Sequence, residues 1–203
     1  MESWHKLLET GTDVCAVFFD LKKAFDSVPH KALMEKLATI GVDPYMLKWF
    51  SNYLSNRTQF VGVNGGASDS VPVISGVPQG SVLGPTLFLI YIWFNGITDI
   101  SLSDGSMLLY ADNLLYRPTR TVHDYIRLQQ DINSLDNWIQ HKYLQFNVTK
   151  CKYMIVTRKR NPVAPLTPLS VNNLAVDKVN CFKYLGVWLS HNLTWNKHIE
   201  EIC

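Results

Sequence analysis

The chain has 203 residues, 47% of them hydrophobic and 18% charged, with a formal net charge of +2. This balance excludes collagen, coiled coil and wholesale disorder as descriptions of the whole chain, and at this length roughly 70% of the unfolded surface can be buried. The longest uninterrupted apolar run, residues 87–94, is far short of the ~20 residues of a spanning helix, and the opening MESWHKLLETGTD carries no apolar stretch of the kind a secretory leader needs.

Residues 14–20 (VCAVFFD) form a short apolar run ending in an acid, which predicts a buried strand. Pro29 opens a helical pattern with Leu33, Leu37 and Ile40 on one face, closed by Gly41. Asp43 and Pro44 read as the N-cap and first residue of a second helix carrying Leu47, Phe50 and Leu54. Residues 58–63, the turn Asn64-Gly65-Gly66 and residues 70–73 predict a hairpin. Residues 75–85 (SGVPQGSVLGP) are dense in Gly and Pro and predict a shaped loop, followed by a buried helix over 86–94.

Residues 107–116 (MLLYADNLLY) predict a hairpin with Ala-Asp-Asn at its tip, because Asp and Asn tolerate tight turns. Tyr125, Leu128, Ile132, Leu135 and Ile139 follow 3, 4, 3, 4 spacing and predict an amphipathic helix. Strands are expected at 153–157, 169–171, 174–176 and 181–189, with a proline-marked loop at Pro162, Pro165 and Pro168. Trp195, His198, Ile199 and Ile202 begin a further helical face, and the chain stops within that pattern, as a truncated chain would. The sum is an α+β layout, an antiparallel sheet backed by helices.

Cys15, Cys151, Cys181 and Cys203 are scattered with no C-x-x-C pair, which argues against zinc and a disulfide partner and for a reducing, intracellular setting, nuclear or cytoplasmic. Residues 1–140 hold 10 basic and 14 acidic side chains, and residues 141–203 hold 9 and 3. The charge is therefore −4 before residue 141 and +6 after it. Six Lys or Arg and no acid lie between His141 and Arg160. That stretch reads either as a solvated face or as a surface for phosphates, with Tyr143, Phe146 and Tyr153 as candidates for stacking nucleobases.

Two acids stand among residues that should be buried: Asp20 at the end of a strand and Asp112 at the tip of a hairpin. A buried carboxylate must be paired, hydrogen-bonded or metal-bound. Were the two strands adjacent, the carboxylates would converge on Mg²⁺, which takes oxygen ligands and suits phosphoryl transfer. The alternative is that Asp20 caps residues 22–25 and Asp112 makes a turn.

Asp20-Leu21-Lys22-Lys23-Ala24-Phe25-Asp26 with Val28-Pro29-His30 resembles the first catalytic motif of reverse transcriptases, those of non-LTR (LINE-type) retrotransposons above all. Gly76-Val77-Pro78-Gln79-Gly80 with Gly84-Pro85 resembles a second motif, and Tyr110-Ala111-Asp112-Asn113 resembles the Y-x-D-D motif at all but its last position. Asn147 to Lys150 with Lys152 resembles a fourth motif, and Phe182 to Gly186 resembles the primer grip. Leu193, Trp195, His198 and Ile199 continue into the thumb. Five motifs occur in the family's order.

The resemblance implies a reverse-transcriptase domain over 1–203: a polymerase palm to about residue 190 with a partial fingers insertion, then the start of the thumb from 191. It implies template-directed addition of a dNTP to a DNA primer on an RNA template, with two Mg²⁺ ions held by Asp20 and Asp112. It further implies that Phe25 is a steric gate against the 2′-hydroxyl and that Gln79 and Gly80 line the incoming nucleotide. By the same resemblance Lys150 would protonate the leaving pyrophosphate, and Tyr184, Leu185 and Gly186 would hold the primer.

Three departures predict an impaired enzyme: Asn113 at the degenerate catalytic position, only nineteen residues before Asp20, and little thumb after residue 190. Trp93 and Phe94 also depart from the usual helix ending. The other readings are a non-catalytic nucleic-acid-binding remnant, an inert product, and a metal phosphoesterase, which leaves the 76–85 loop unexplained.

Overall fold

The computed structural model describes residues 2–93, 102, 105–108 and 113–202. In chain order the elements are α1 (Glu2–Glu9), β1 (Asp13–Phe19), a 3₁₀ turn at Phe25–Ser27, α2 (His30–Thr39) and α3 (Pro44–Leu54). Four two-residue strands follow: β2 (Thr58–Gln59), β3 (Gly62–Val63), β4 (Gly66–Ala67) and β5 (Val71–Pro72). Next come α4 (Leu83–Trp93), β6 (Ser106–Leu108), β7 (Asn113–Thr119) and α5 (Val122–His141). The remainder comprises β8 (Lys152–Val156), β9 (Ser170–Val171), β10 (Leu174–Ala175), β11 (Asp177–Lys178), β12 (Cys181–Tyr184), β13 (Val187–Ser190) and α6 (Asn196–Ile202). This is the α+β architecture expected.

The described elements fall into two units, Met1–Lys22 with Ser101–Ile139 and Gln145–Cys203, and Lys23–Ile100 with Gln140–Leu144. The first is built on a sheet of order β11-β8-β1-β7-β6. β1 pairs antiparallel with β7 on one side and β8 on the other, so that Val14 faces both Pro118 and Val156, and Phe19 faces Asn113. Every residue of β1 is buried, and its unbroken hydrophobicity follows from that two-sided burial.

One face of this sheet carries Val14, Ala16, Phe18, Leu114, Met154 and Val156, closed over by Trp4 and Leu8 of α1 and by Leu189 of β13. Phe18 stacks on Phe182 at 4.1 Å. The opposite face carries Cys15, Val17 and Phe19 with Leu115 and Arg117 in register. Arg117, 1% exposed, reaches Asp131 of α5 at 2.8 Å, which fixes α5 over this face. The five positions read as an amphipathic helix, Tyr125, Leu128, Ile132, Leu135 and Ile139, are all buried.

In the second unit α2 packs on α3 and on α4. α3 starts as expected: Asp43 Oδ1 accepts from the Tyr45 N–H at 2.8 Å and Pro44 takes the first helical position. α2 ends before Gly41, whose φ of +87° continues the chain where a side chain would be strained.

Three expectations need correction. The helix expected from residue 86 starts at Leu83, because Pro85 lies in the first turn, where the missing N–H has no partner to lose. The strand expected over 181–189 breaks into β12 and β13 around Leu185 and Gly186, both at positive φ. The hairpin over 58–73 is two short ladders, β2 with β5 and β3 with β4, rather than one. The two strands expected around 107–116 pair antiparallel, Met107 facing Leu115, while residues 109–112, and with them Tyr110 and Asp112, lie outside the described residues. Phe94 also falls outside them. β11, which joins β8 in parallel, carries no apolar run and was not expected.

Candidate active site

In the sheet unit, Asp20 follows β1 directly, and the backbone around it is tied to a neighbouring segment. The Asn147 N–H donates to the Asp20 carbonyl at 2.8 Å, and the Lys22 N–H donates to the Gln145 carbonyl at 2.7 Å. Leu21 bridges Phe146, and Phe19 packs on the Phe146 ring at 4.8 Å. Residues 147–150 then turn back, with the Lys150 N–H on the Asn147 carbonyl at 2.9 Å. That turn brings Lys150 Nζ to 3.8 Å from Asp20 Oδ2. The contact is loose: the lysine side chain is 68% exposed and the Asp20 side chain 34%.

Beneath Asp20, the Cys151 thiol is buried and pushed up to about 11 by that burial, with the Asp20 backbone bond opposing and the Asp20 charge adding to the rise. A thiol raised in this way is neutral at pH 7 and a poor nucleophile.

Asp20 therefore offers a half-open carboxylate, the hard oxygen donor that a divalent cation prefers. Among the described residues no group of three or more His, Cys, Asp or Glu comes together, and Asp112 lies outside them. Asn113 opens β7, in register with Phe19 and 6% exposed.

Tyr184, Leu185 and Gly186 form the β12–β13 turn. Tyr184 leans on Phe18 at 5.8 Å, two residues before Asp20, while Leu185 at φ +48° and Gly186 at φ +84° make a tight two-residue connection. A leucine in this conformation stores strain, and it is 47% exposed.

In the helical unit, Phe25 stacks on Phe88 of α4 at 5.0 Å. The 75–77 loop is clamped onto the 25–28 turn. The Val77 N–H donates to the Phe25 carbonyl at 2.7 Å and the Gly76 N–H to the Val28 carbonyl at 2.8 Å. Ser75 Oγ donates to the Asp26 carbonyl at 2.9 Å, and His30 Nε2 lies 2.8 Å from the Gly76 carbonyl. A Cβ on Gly76 would stand 2.7 Å from Asp26 Cα, at φ +95°, so only glycine fits. Gln79 and Gly80 follow, both exposed, Gly80 at φ +76° with open space around it.

A groove of about 810 Å³ in this unit is lined by Lys23, Asp26, Arg57, Gln79 and Tyr143 among others. The sequence did not single out Ser75, His30 as a clamp, or Arg57. The hint for His30 was its place in the first motif.

The basic stretch is less open than its composition implied. Lys150 faces Asp20, Lys152 pairs with Asp177 at 2.7 Å, and Lys159 reaches the buried Asp13 at 3.0 Å. Three of the six cations thus have acidic partners drawn from elsewhere in the chain. Phe146 and Tyr153 are core residues at 7% and 6% exposure, which removes them as stacking platforms, whereas Tyr143 is 74% exposed.

A five-stranded antiparallel-cored sheet with an acid at the end of its central strand and helices against it is a palm-like fold. The chain belongs to the reverse transcriptase (RNA-dependent DNA polymerase) family, whose model matches residues 2–189. It is 29% identical over 201 residues to the RNA-directed DNA polymerase from mobile element jockey of Drosophila melanogaster, covering 96% of this chain and 22% of that protein. It is 34% identical over 215 residues to the probable RNA-directed DNA polymerase from transposon X-element of the same fly, covering 100% of this chain and 23% of that protein.

The chain thus spans less than a quarter of the length of these non-LTR retrotransposon relatives. Among solved structures, apo telomerase from Candida tropicalis, truncated from its C-terminal domain, matches with a TM-score of 0.61 at 15% identity. The match covers 96% of this chain and 38% of that one, and shows the fold.

Proposed function

We propose that this chain is the palm of a retrotransposon RNA-directed DNA polymerase, adding a dNTP to a DNA primer 3′ end on an RNA template, and that its own site is impaired. The observation that carries the reading is Asp20: a half-open carboxylate fixed at the end of a fully buried strand whose neighbour β7 begins at Asn113, the residue that follows Asp112 in the sequence. Asp20 and Asp112 would hold the Mg²⁺ ions of a two-metal reaction, which when bound neutralise charge on the phosphoryl group in transfer.

In the reaction the primer 3′-oxygen attacks the α-phosphorus as its proton passes to solvent water, and the bond to pyrophosphate breaks. Lys150, exposed and 3.8 Å from Asp20, supplies the proton that pyrophosphate takes up. Phe25, held by the Phe88 ring and by the Val77 bond, meets the sugar where a 2′-hydroxyl would stand. Gln79 and Gly80 line the nucleotide, and the Tyr184-Leu185-Gly186 turn holds the primer backbone. Catalysis is mainly positioning and charge neutralisation.

Asn113 supports the impairment. An amide keeps the shape and one acceptor but lacks the charge of the aspartate in the Y-x-D-D motif. A second reading, a nucleic-acid-binding remnant without polymerase activity, rests on the same substitution.

The test compares primer extension on an RNA template by four proteins: this chain and its Asn113→Asp variant, each alone and each joined to the flanking segments of an intact relative. Extension is expected only from the joined Asn113→Asp protein. Extension by the chain alone would refute the impairment. No extension by any of the four, with all folded, would refute the polymerase reading.

A further inference from the structure

α3 carries a stripe of aromatic side chains away from its buried residue Leu54. Tyr45, Trp49 and Tyr53 recur every four residues on one side of the helix, with Tyr45 80% and Trp49 45% exposed. Trp49 and Tyr53 lie flat on one another, with ring centroids 5.3 Å apart and planes within 7°. Beyond the helix, Asn56 takes a left-handed conformation (φ +56°) that turns the chain back, and the Arg57 guanidinium comes over the Tyr53 ring at 5.7 Å.

This is a ladder of π-faces capped by a cation, set in solvent rather than in a core. It differs in this from Phe88 and Tyr91 of the same unit, which are buried, and resembles Phe60 and Tyr143, which are exposed. The ladder is also continuous with the groove, because Arg57 lines both, and the groove holds two cations, Arg57 and Lys23, against one acid, Asp26, together with Gln79 and the exposed Tyr143. Residues 44–68 contain Lys48 and Arg57 and no acid.

We infer that the α3 ladder, with Arg57 and the adjoining groove, is a binding site for a single-stranded polynucleotide, bases stacking along Trp49 and Tyr45 and phosphates meeting Arg57 and Lys23. The occupant is chosen by chemistry. Stacked, exposed aromatic rings accept any base, arginine both stacks and pairs with phosphate, and the absence of acids from this stretch favours an anionic strand. The inference goes beyond the polymerase reading, because it needs neither metal nor catalysis.

The experiment measures binding of a fluorescent 12-nucleotide RNA and its DNA counterpart, each also in abasic form, over a range of salt. Trp49→Leu should weaken binding of both normal strands about ten-fold and leave the abasic strands unchanged, with the salt slope unaltered. Arg57→Gln should lower the salt slope by about 1. Tyr45→Leu, at an exposed position that cannot upset the fold, should show the same base-dependent loss should Trp49→Leu fail to fold.

Trp49→Leu should leave Mn²⁺ affinity as in the parent, so that a failed polymerase reading and a failed ladder give different results. Equal loss on normal and abasic strands, or parent affinity in both leucine variants, would overturn the inference. So would a concentration-dependent self-association that Trp49→Leu abolishes while leaving oligonucleotide affinity intact, which would make the ladder a protein interface.

Discussion

Phe19 and Asn113 are cross-strand partners at the end of the β1–β7 ladder, and Asn113 is 6% exposed beside that ring. The amide thus occupies an enclosed position, on the face that α5 covers. A carboxylate there would be desolvated unless a cation met it. Asn113→Asp is therefore expected to destabilise the chain on the order of 1–3 kcal/mol at pH 7 without divalent cation. Mg²⁺ should recover part of the loss. Denaturant melts of both proteins with and without Mg²⁺ check this, and a variant as stable as the parent in chelator would show that the position is not enclosed.

Gly76 and Gly80 belong to one loop and should behave differently. Alanine at Gly76 meets Asp26 Cα at 2.7 Å and the Phe25 carbonyl at 2.9 Å, whereas alanine at Gly80 meets nothing within 4 Å. Both pay for positive φ, about 1–2 kcal/mol, and only Gly76→Ala must also push the 75–77 loop off the Phe25 turn. Thermal melts should rank Gly76→Ala clearly below Gly80→Ala. Equal losses would mean that the clamp does not hold Phe25.

Asp124 sits in the first turn of α5 and accepts from the Arg120 and Thr121 N–H groups, each at 2.9 Å, and from Thr121 Oγ1 at 3.1 Å. Burial raises its pKa and these hydrogen bonds outweigh it, so the carboxyl lies below its ordinary value of 3.8. A depressed acid stabilises the fold above its unfolded pKa, and that stability is lost as pH falls through the folded value. Asp124→Asn should cost about 1 kcal/mol at pH 7. The gap to the parent should close below pH 3.8 as the parent's own carboxyl protonates. A gap that persists unchanged in acid would assign the effect to something other than charge.

The Arg117–Asp131 pair ties β7 to α5 with side chains 1% and 4% exposed. Asp131→Ala removes a buried charge-assisted hydrogen bond, so it should cost about 1.5–3 kcal/mol. A double replacement by apolar residues of similar volume should cost much less. Denaturant unfolding distinguishes the two, and a single variant near parent stability would mean that this pair does not hold β7 to α5.

The sequence was most informative where local chemistry decides the structure. Asp43-Pro44 and Gly41 mark helix ends by hydrogen bonding and backbone freedom alone, and the 3, 4 spacing along α5 needs no partner to be seen. It was least informative where tertiary contacts decide. α1 is short, and its packing rests on Trp4 and Leu8, one turn apart and buried, with Leu7 half-buried beside them. Arg117 in the middle of β7 is intelligible only once Asp131 is known to lie across from it. The break at Leu185 puts a leucine at positive φ, which no propensity favours.

The same division holds at the candidate site. Asp20 was visible as an acid ending an apolar run, and the 76–80 loop as a glycine-rich segment. The pairings that drain charge from the basic stretch were not visible, because Asp13, Asp20 and Asp177 are distant in the chain. The α3 ladder was masked too, since Trp49 and Tyr53 sit among Leu47, Phe50 and Leu54 and all read as one apolar helix.

The central claim is that Asp20 is a metal ligand in a palm weakened by an amide at position 113. It is tested most directly by measuring Mn²⁺ affinity from its electron paramagnetic resonance signal in the parent, Asn113→Asp, Asp20→Asn and the double variant. The account predicts weak binding by the parent and about ten-fold tighter binding by Asn113→Asp, as 1.4 kcal/mol of added charge stabilisation would give. It predicts loss of that gain in the double variant, and weaker binding than the parent in Asp20→Asn. Mn²⁺ affinity that is unchanged by Asp20→Asn in either background would contradict it.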